Sequence, residues 1–150
     1  MKQRLEYAKV APGAMKAMRE LEKYVASSGL ERSLYELVKT RASQINGCAY
    51  CLDMHTKDAR KAGETEQRLY ALSAWRETPF YTDRERAALE WTEALTLISQ
   101  NEVPDSFYQH VHKFFDEQEM VALTMAIVAI NGWNRLAISF RSVPGSYNPQ

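Results

Sequence analysis

The sequence predicts an all-α fold, one domain of six to seven helices, on three observations. Apolar residues return at spacings of three and four along most of the chain. Proline, glycine and capping residues punctuate that pattern where helices would start and stop. No segment alternates polar and apolar residues between hairpin turns, as a half-buried strand would.

The first helix covers residues 12–28. Met15, Met18, Leu21 and Val25 share one face, Pro12 suits the first turn and Gly29 the stop. The second runs from about Glu31 to Ile45 on a stripe of Leu34, Leu37, Val38 and Ile45, and Asn46-Gly47 breaks it. The third opens at Cys48 and ends near Ala62-Gly63, and the fourth spans Thr65 to about Trp75. Thr82 and Glu85 form a capping-box pattern ahead of the fifth, with Ala88, Trp91, Leu95 and Ile98 on its apolar face. Pro104 starts a sixth through Phe107, Val111 and Phe114. Asp116 and Glu119 cap the seventh, which reaches Asn131-Gly132 or beyond. From Met120 to Ile130 this last helix is apolar nearly all round, so it must be buried on every side. It is either the central helix of the domain or a helix at a subunit interface. The interface is favoured, because only six other short helices could cover it.

A chain of 150 residues fits one domain and can bury about 70% of its unfolded surface without staples. Nineteen Lys and Arg balance 19 Asp and Glu, so no basic excess points to nucleic acid or an anionic membrane. The start, MKQRLEYAKV, lacks a signal-peptide core. The longest apolar run, Met120 to Ile130, falls short of the ~20 residues of a membrane span. The expectation is a cytoplasmic protein. In a reducing compartment the two cysteines, Cys48 and Cys51, are catalytic or metal-binding rather than a structural disulfide.

Those cysteines sit in Asn46-Gly47-Cys48-Ala49-Tyr50-Cys51-Leu52-Asp53-Met54-His55, a Cys-x2-Cys-x3-His spacing. At roughly 100° per residue, the three side chains share one helix face. Helical side chains lean toward the N-terminus, so His55 leans over Cys51. Gly47 should end one helix in a left-handed conformation and leave Cys48 in the first turn of the next. Unpaired backbone N–H groups and the helix dipole stabilise a thiolate there. Three readings compete: a dithiol redox site with His55 as base, a zinc site with a fourth ligand such as His110 or His112, and two small buried hydrophobes beside a satisfied histidine. The spacing favours redox, with zinc second.

The run from Leu34-Tyr35-Glu36-Leu37-Val38 through Cys48-Ala49-Tyr50-Cys51 to His55 resembles the AhpD-like branch of the carboxymuconolactone decarboxylase family. Glu36, Cys48, Cys51 and His55 match its Glu-x11-Cys-x2-Cys-x3-His pattern in type and spacing, and Asn134-Arg135-Leu136 is similar to its closing helix. The resemblance implies an all-helical AhpD-like domain that assembles as a trimer or hexamer. It implies a hydroperoxide substrate, an external thiol or dithiol reductant, and neither metal nor flavin as cofactor. It makes Cys51 the peroxidatic cysteine, Cys48 the resolving one, and Glu36 and His55 a proton relay. Better-known members carry a histidine where this chain has Tyr50, which hydrogen-bonds but is a poor base near neutral pH. Taken alone, Glu36 points away from its helix's apolar stripe and reads as a solvated glutamate. The decarboxylase branch lacks the cysteine pair, which counts against a decarboxylase acting on a cyclic lactone acid.

Which sulfur attacks divides the arguments. Helix position favours Cys48, whereas the resemblance and the nearness of His55 favour Cys51, and the sequence reading settles on Cys51. Among smaller signals, His110 and His112 read as surface residues, the three tryptophans as core, and Asp83-Arg84-Glu85-Arg86 as a solvated helix start. Phe80 and Tyr81 could line a pocket, though nothing in the sequence requires it.

Overall fold

The computed structural model describes residues 2–149, and its regular structure, from Tyr7 to Phe140, is helical. Eight α-helices follow one another: α1 (Tyr7–Val10), α2 (Pro12–Ala26), α3 (Arg32–Asn46), α4 (Ala49–Lys61), α5 (Glu66–Ala71), α6 (Asp83–Thr96), α7 (Asp105–His112) and α8 (Glu117–Phe140). A 3-10 segment, Leu72–Glu77, follows α5 directly. No described residue is in a strand.

The expected elements are present, with instructive differences. α1 has only four residues and buries none, so it leaves no apolar period in the sequence. The helix expected over Thr65 to Trp75 is α5 plus the 3-10 segment, interrupted where Ala74 leaves helical geometry (φ −120°, ψ 29°). Both capping boxes form: Thr82 with Glu85 opens α6, and Asp116 with Glu119 opens α8. Each such cap is worth about 1 kcal/mol. The Asp83–Arg86 run does more than face solvent. Arg84 bridges Glu31 and Glu119, and Arg86 donates to the carbonyls of Trp75, Arg76 and Thr78. Tyr81 is core, its hydroxyl donating to the Arg68 carbonyl.

Two helices form the centre. α3 packs against α4, α6 and α8, and so buries Glu36, Lys39, Thr40 and Ser43 along with Leu34, Leu37 and Val38. α8 packs against α2, α3, α4 and α6 and continues ten residues past Ile130 to Phe140. Its 24 residues have the length and hydropathy of a membrane span, more than its uninterrupted apolar run suggested. It nevertheless buries Asn131 and Asn134 within the fold. Burial on every side is not what the single chain achieves: Val121 (55%), Val128 (50%) and Ile138 (45%) remain exposed. Gly132 lets α2 come close, since a Cβ there would sit 2.9 Å from the Met18 methyl.

Three apolar clusters result. One joins Leu34, Val38, Trp91, Phe115, Leu123 and Ile127, and a second joins Leu37, Ala59, Leu72, Trp75 and Leu89. The third is small and contains both cysteines, with Ala42, Ile130 and Ala137. The indoles of Trp75, Trp91 and Trp133 each donate to a side-chain oxygen, of Glu93, Thr124 and Glu22 respectively. α8 ends at Arg141, the single non-glycine described residue with positive φ (+54°). That left-handed conformation costs an L-residue roughly 1–2 kcal/mol.

Candidate active site

One residue separates α3 from α4 in the sense that matters. Gly47 adopts the left-handed conformation (φ +67°, ψ 33°) in which a Cβ is disfavoured. Its N–H donates to the Gln44 carbonyl at 3.2 Å, and the Cys48 N–H to the Ser43 carbonyl at 3.0 Å. This closes α3 with a Schellman motif. The next residue is already the N-cap of α4: Cys48 is extended (φ −86°, ψ 94°), and its sulfur accepts from the Cys51 N–H at 3.4 Å. A cysteine thus stands where a serine or aspartate usually caps.

The two sulfurs meet. The Cys48 and Cys51 sulfurs lie 2.7 Å apart, within hydrogen-bond distance, and each residue is only 1% exposed. Cys48 is pushed down to about 7, first by the Cys51 thiol, then against the opposing effect of burial by backbone N–H groups of α4 and the Asn134 amide. Cys51 is pushed up, because its proton is held by Cys48, it is buried, and it faces the Cys48 charge. The Asn134 amide and the Lys39 ammonium work in the opposite direction on Cys51. Of the two, Cys48 is therefore the sulfur that ionises first and Cys51 the one that keeps its proton.

Glu36 and His55 form a second unit. His55 Nδ1 lies 2.9 Å from Glu36 Oε2, with side chains 5% and 6% exposed. The face of α3 that the sequence reads as solvated is covered by α4, which is what brings Glu36 inside. When Nδ1 donates to Glu36, Nε2 is the ring nitrogen left to accept a proton. Nε2 is buried without a hydrogen-bond partner, and His55 bonds neither sulfur. The nearness that favours Cys51 in the sequence does not become a hydrogen bond here.

Several members of this neighbourhood are not among the site residues that the sequence points to. Asn134 accepts from Asn46 at 2.8 Å, donates to Ser43 at 3.1 Å and faces the sulfur pair. Asn46 also donates to Asn131, which donates on to Thr96. Lys39, one turn beyond Glu36 and 3% exposed, pairs with Glu22 at 2.5 Å and bonds the Tyr35 hydroxyl. Asp58 brings a carboxylate oxygen to within 4.8 Å of the Glu36 and His55 ligand atoms. Both Asp58 oxygens accept from the Tyr147 hydroxyl, at 2.8 and 3.0 Å. Glu36, His55 and Asp58 are the one described trio of ligating side chains this close, and it excludes the cysteines. The zinc set of Cys48, Cys51 and His55 weighed from spacing does not converge on a point. His110 is exposed, while the His112 ring is engaged with the Phe115 carbonyl at 2.8 Å.

Access is from one side. A hollow of about 240 Å³ is lined by Gly47, Cys48, Ala49, Tyr50, Ala137, Ile138, Arg141 and Ser142. Tyr50 and Ser142 also border an adjoining hollow of about 380 Å³. Tyr50 thus stands at the mouth of the site, as a wall.

Comparison with known proteins gives a consistent result. The sequence pattern of the carboxymuconolactone decarboxylase family matches residues 12–94. The uncharacterized protein YdfG of Bacillus subtilis is 51% identical over 139 residues, covering 93% of this chain and 95% of that protein. A solved protein of unknown function from Agrobacterium tumefaciens, connected by name with the antioxidant defence protein AhpD, superimposes with a TM-score of 0.93 at 48% identity. The match covers 97% of this chain and 100% of the other. An uncharacterized peroxidase-related protein from Ralstonia eutropha JMP134, described as an alkylhydroperoxidase AhpD core, shares the fold (TM-score 0.82, 17% identity, 93% of this chain and 74% of that one).

Proposed function

The chain belongs to the carboxymuconolactone decarboxylase family as an AhpD-like member, and from that premise we propose that it is a dithiol peroxidase reducing organic hydroperoxides. The observation that carries this reading is the sulfur pair itself, two buried cysteine sulfurs 2.7 Å apart beside a hollow that Cys48 lines.

The proposed chemistry balances as follows. The Cys48 thiolate attacks the terminal oxygen of the hydroperoxide, and the O–O bond breaks. Sulfur keeps the oxygen as a sulfenic acid, and the alkoxide takes a proton from solvent and leaves as the alcohol. Cys51 gives its proton to His55 Nε2, which Glu36 stabilises as imidazolium. The Cys51 sulfur then attacks the sulfenic sulfur, an S–S bond forms, and hydroxide leaves as water with the proton from His55. An external thiol or dithiol restores the pair by exchange. This order reverses the one the sequence favours. What supports it is the N-cap position of Cys48, its lowered thiol, and its place in the wall of the hollow.

The proposal covers one domain over residues 1–150, working in the reducing cytoplasm as a homo-oligomer, a hexamer first and otherwise a trimer or dimer. The exposed Val121 and Val128, on one face of α8, support association. A turnover assay with cumene hydroperoxide and hydrogen peroxide against several dithiol donors tests the activity. Consumption that requires both cysteines and a dithiol is expected; consumption equal to that of the Cys48→Ser/Cys51→Ser protein would end the proposal.

A further inference from the structure

The hollow over Cys48 has a chemical asymmetry that the dithiol chemistry does not use. Tyr50, Ala137 and Ile138 make its wall apolar, while Arg141 stands at its edge. Among the described residues the exposed Arg141 side chain has no ion pair and no hydrogen bond; Arg19 and Arg32 share that, but of the three only Arg141 lines the hollow beside Cys48. Its backbone is also the strained one. At φ +54° the position suits glycine, and the chain does use glycine at φ +104° four residues later, at Gly145. A cation near a helix C-terminus complements the helix dipole. That benefit is available one position earlier without left-handed backbone, so it does not account for an arginine at this place. Strain retained in the wall of a cavity beside a reactive sulfur points to a use for the side chain.

We infer that the hollow selects hydroperoxides bearing a carboxylate, with Arg141 as the residue that reads the charge. The ligand class is a compact amphipathic one, an apolar or aromatic body against Tyr50 and Ile138 with an anionic head on the guanidinium. At about 240 Å³ the hollow lies just below the usual range of ~300–1,000 Å³ for small-molecule pockets, so it takes a small body rather than a long chain. This inference rests on the dithiol reading of Cys48 and adds the substrate class to it.

The test uses the full chain and a matched pair of probes: cumene hydroperoxide carrying a para carboxylate, and its methyl ester. The readout is the ratio of kcat/KM for acid over ester. The wild-type ratio should be about fivefold, the scale of a solvent-exposed ion pair, and should shrink as salt is added. Arg141→Gly, which suits the left-handed position, should bring the ratio to about one, and Arg141→Lys should keep it above one. A wild-type ratio of one, or a ratio that survives Arg141→Gly, overturns the inference. A melting temperature for Arg141→Gly below that of wild type would transfer the decision to Arg141→Lys together with the salt dependence, either of which can still overturn it. Should neither probe be turned over, the peroxidase reading fails by itself. Calorimetric binding of the corresponding acid and ester alcohols then decides the role of Arg141: preference for the acid upholds it, and equal binding removes it.

Discussion

Replacing the cysteines one at a time tests the order of attack with a signature that access alone cannot imitate. In Cys51→Ser the hydroxyl still donates to Cys48, so its thiol stays near about 7. In Cys48→Ser the partner that holds the Cys51 proton is gone, and Cys51 relaxes toward an ordinary cysteine, with about 8.5 as the lower bound because burial still raises it. At pH 7 the first protein is about half thiolate and the second roughly 3%, about a 16-fold difference. Lower basicity weakens each thiolate about fivefold at a Brønsted slope of ~0.45. The net advantage of the Cys48 sulfur is then about threefold at pH 7, about sixfold at pH 6, and nearly gone by pH 8. The assay is single-turnover reaction with one equivalent of cumene hydroperoxide, a dimedone-type trap and mass spectrometry of the labelled sulfur. A Cys48→Ser protein that traps sulfenic acid at Cys51 as fast as its counterpart at pH 6, or a ratio that does not move with pH, would refute the reasoning and return the attack to Cys51.

His55→Ala should slow peroxide consumption by about 10²-fold without unfolding the protein, as loss of a general base does, and Glu36→Gln should slow it less; unchanged turnover would make the pair mere packing. Asn134→Ala should move the pH midpoint of thiolate formation at Cys48 upward, read from ultraviolet thiolate absorbance, because an amide that favours the charged sulfur is lost. Thiolate reactivity should accordingly fall as pH drops through about 7 in wild type and through a higher value in the variant. Lys39→Ala leaves the half-buried Glu22 without its cation and should cost about 3–5 kcal/mol by chemical denaturation; a loss under about 1 kcal/mol would show that water solvates the pair. Sedimentation at micromolar concentration should give an oligomer, and a monomer would refute the interface on α8.

The all-helical class and most helix starts were legible because they depend on local chemistry. Pro12, the Thr82 and Asp116 caps and Gly47 act within one turn, so the sequence carries them directly. The pairing of Cys48 with Cys51 was legible for the same reason, being a single helical turn. What a helix face meets is not local. α3 shows one apolar stripe, yet its polar side is equally buried, because α4 folds back over it at Gly47. The inward Glu36 and Lys39 therefore look like surface residues until the partner helix is placed. The partners of Lys39 and Asn134, on α2 and on α3, lie 17 and 91 residues away and are invisible to periodicity. Helix position already favoured Cys48 in the sequence, but that Cys48 caps α4 instead of lying within its first turn was beyond spacing.

The amides between α3 and α8 act as a register key. Sliding or turning α8 by one residue would part Asn46 from Asn131 and Asn134, Asn134 from Ser43, and Asn131 from Thr96. Each buried group so orphaned costs about 1–3 kcal/mol, so neighbouring registers are excluded by several such amounts at once. Apolar residues of similar volume could glue the same two helices together without choosing among registers. The position of the sulfur pair against the last turns of α8 is thereby inherited from an interlock in which Asn134 also faces the sulfurs. Tyr50, Ile138 and Arg141 lie outside that interlock. Substrate preference can drift through those three positions in evolution, or be redesigned there, while the reactive geometry stays keyed in place.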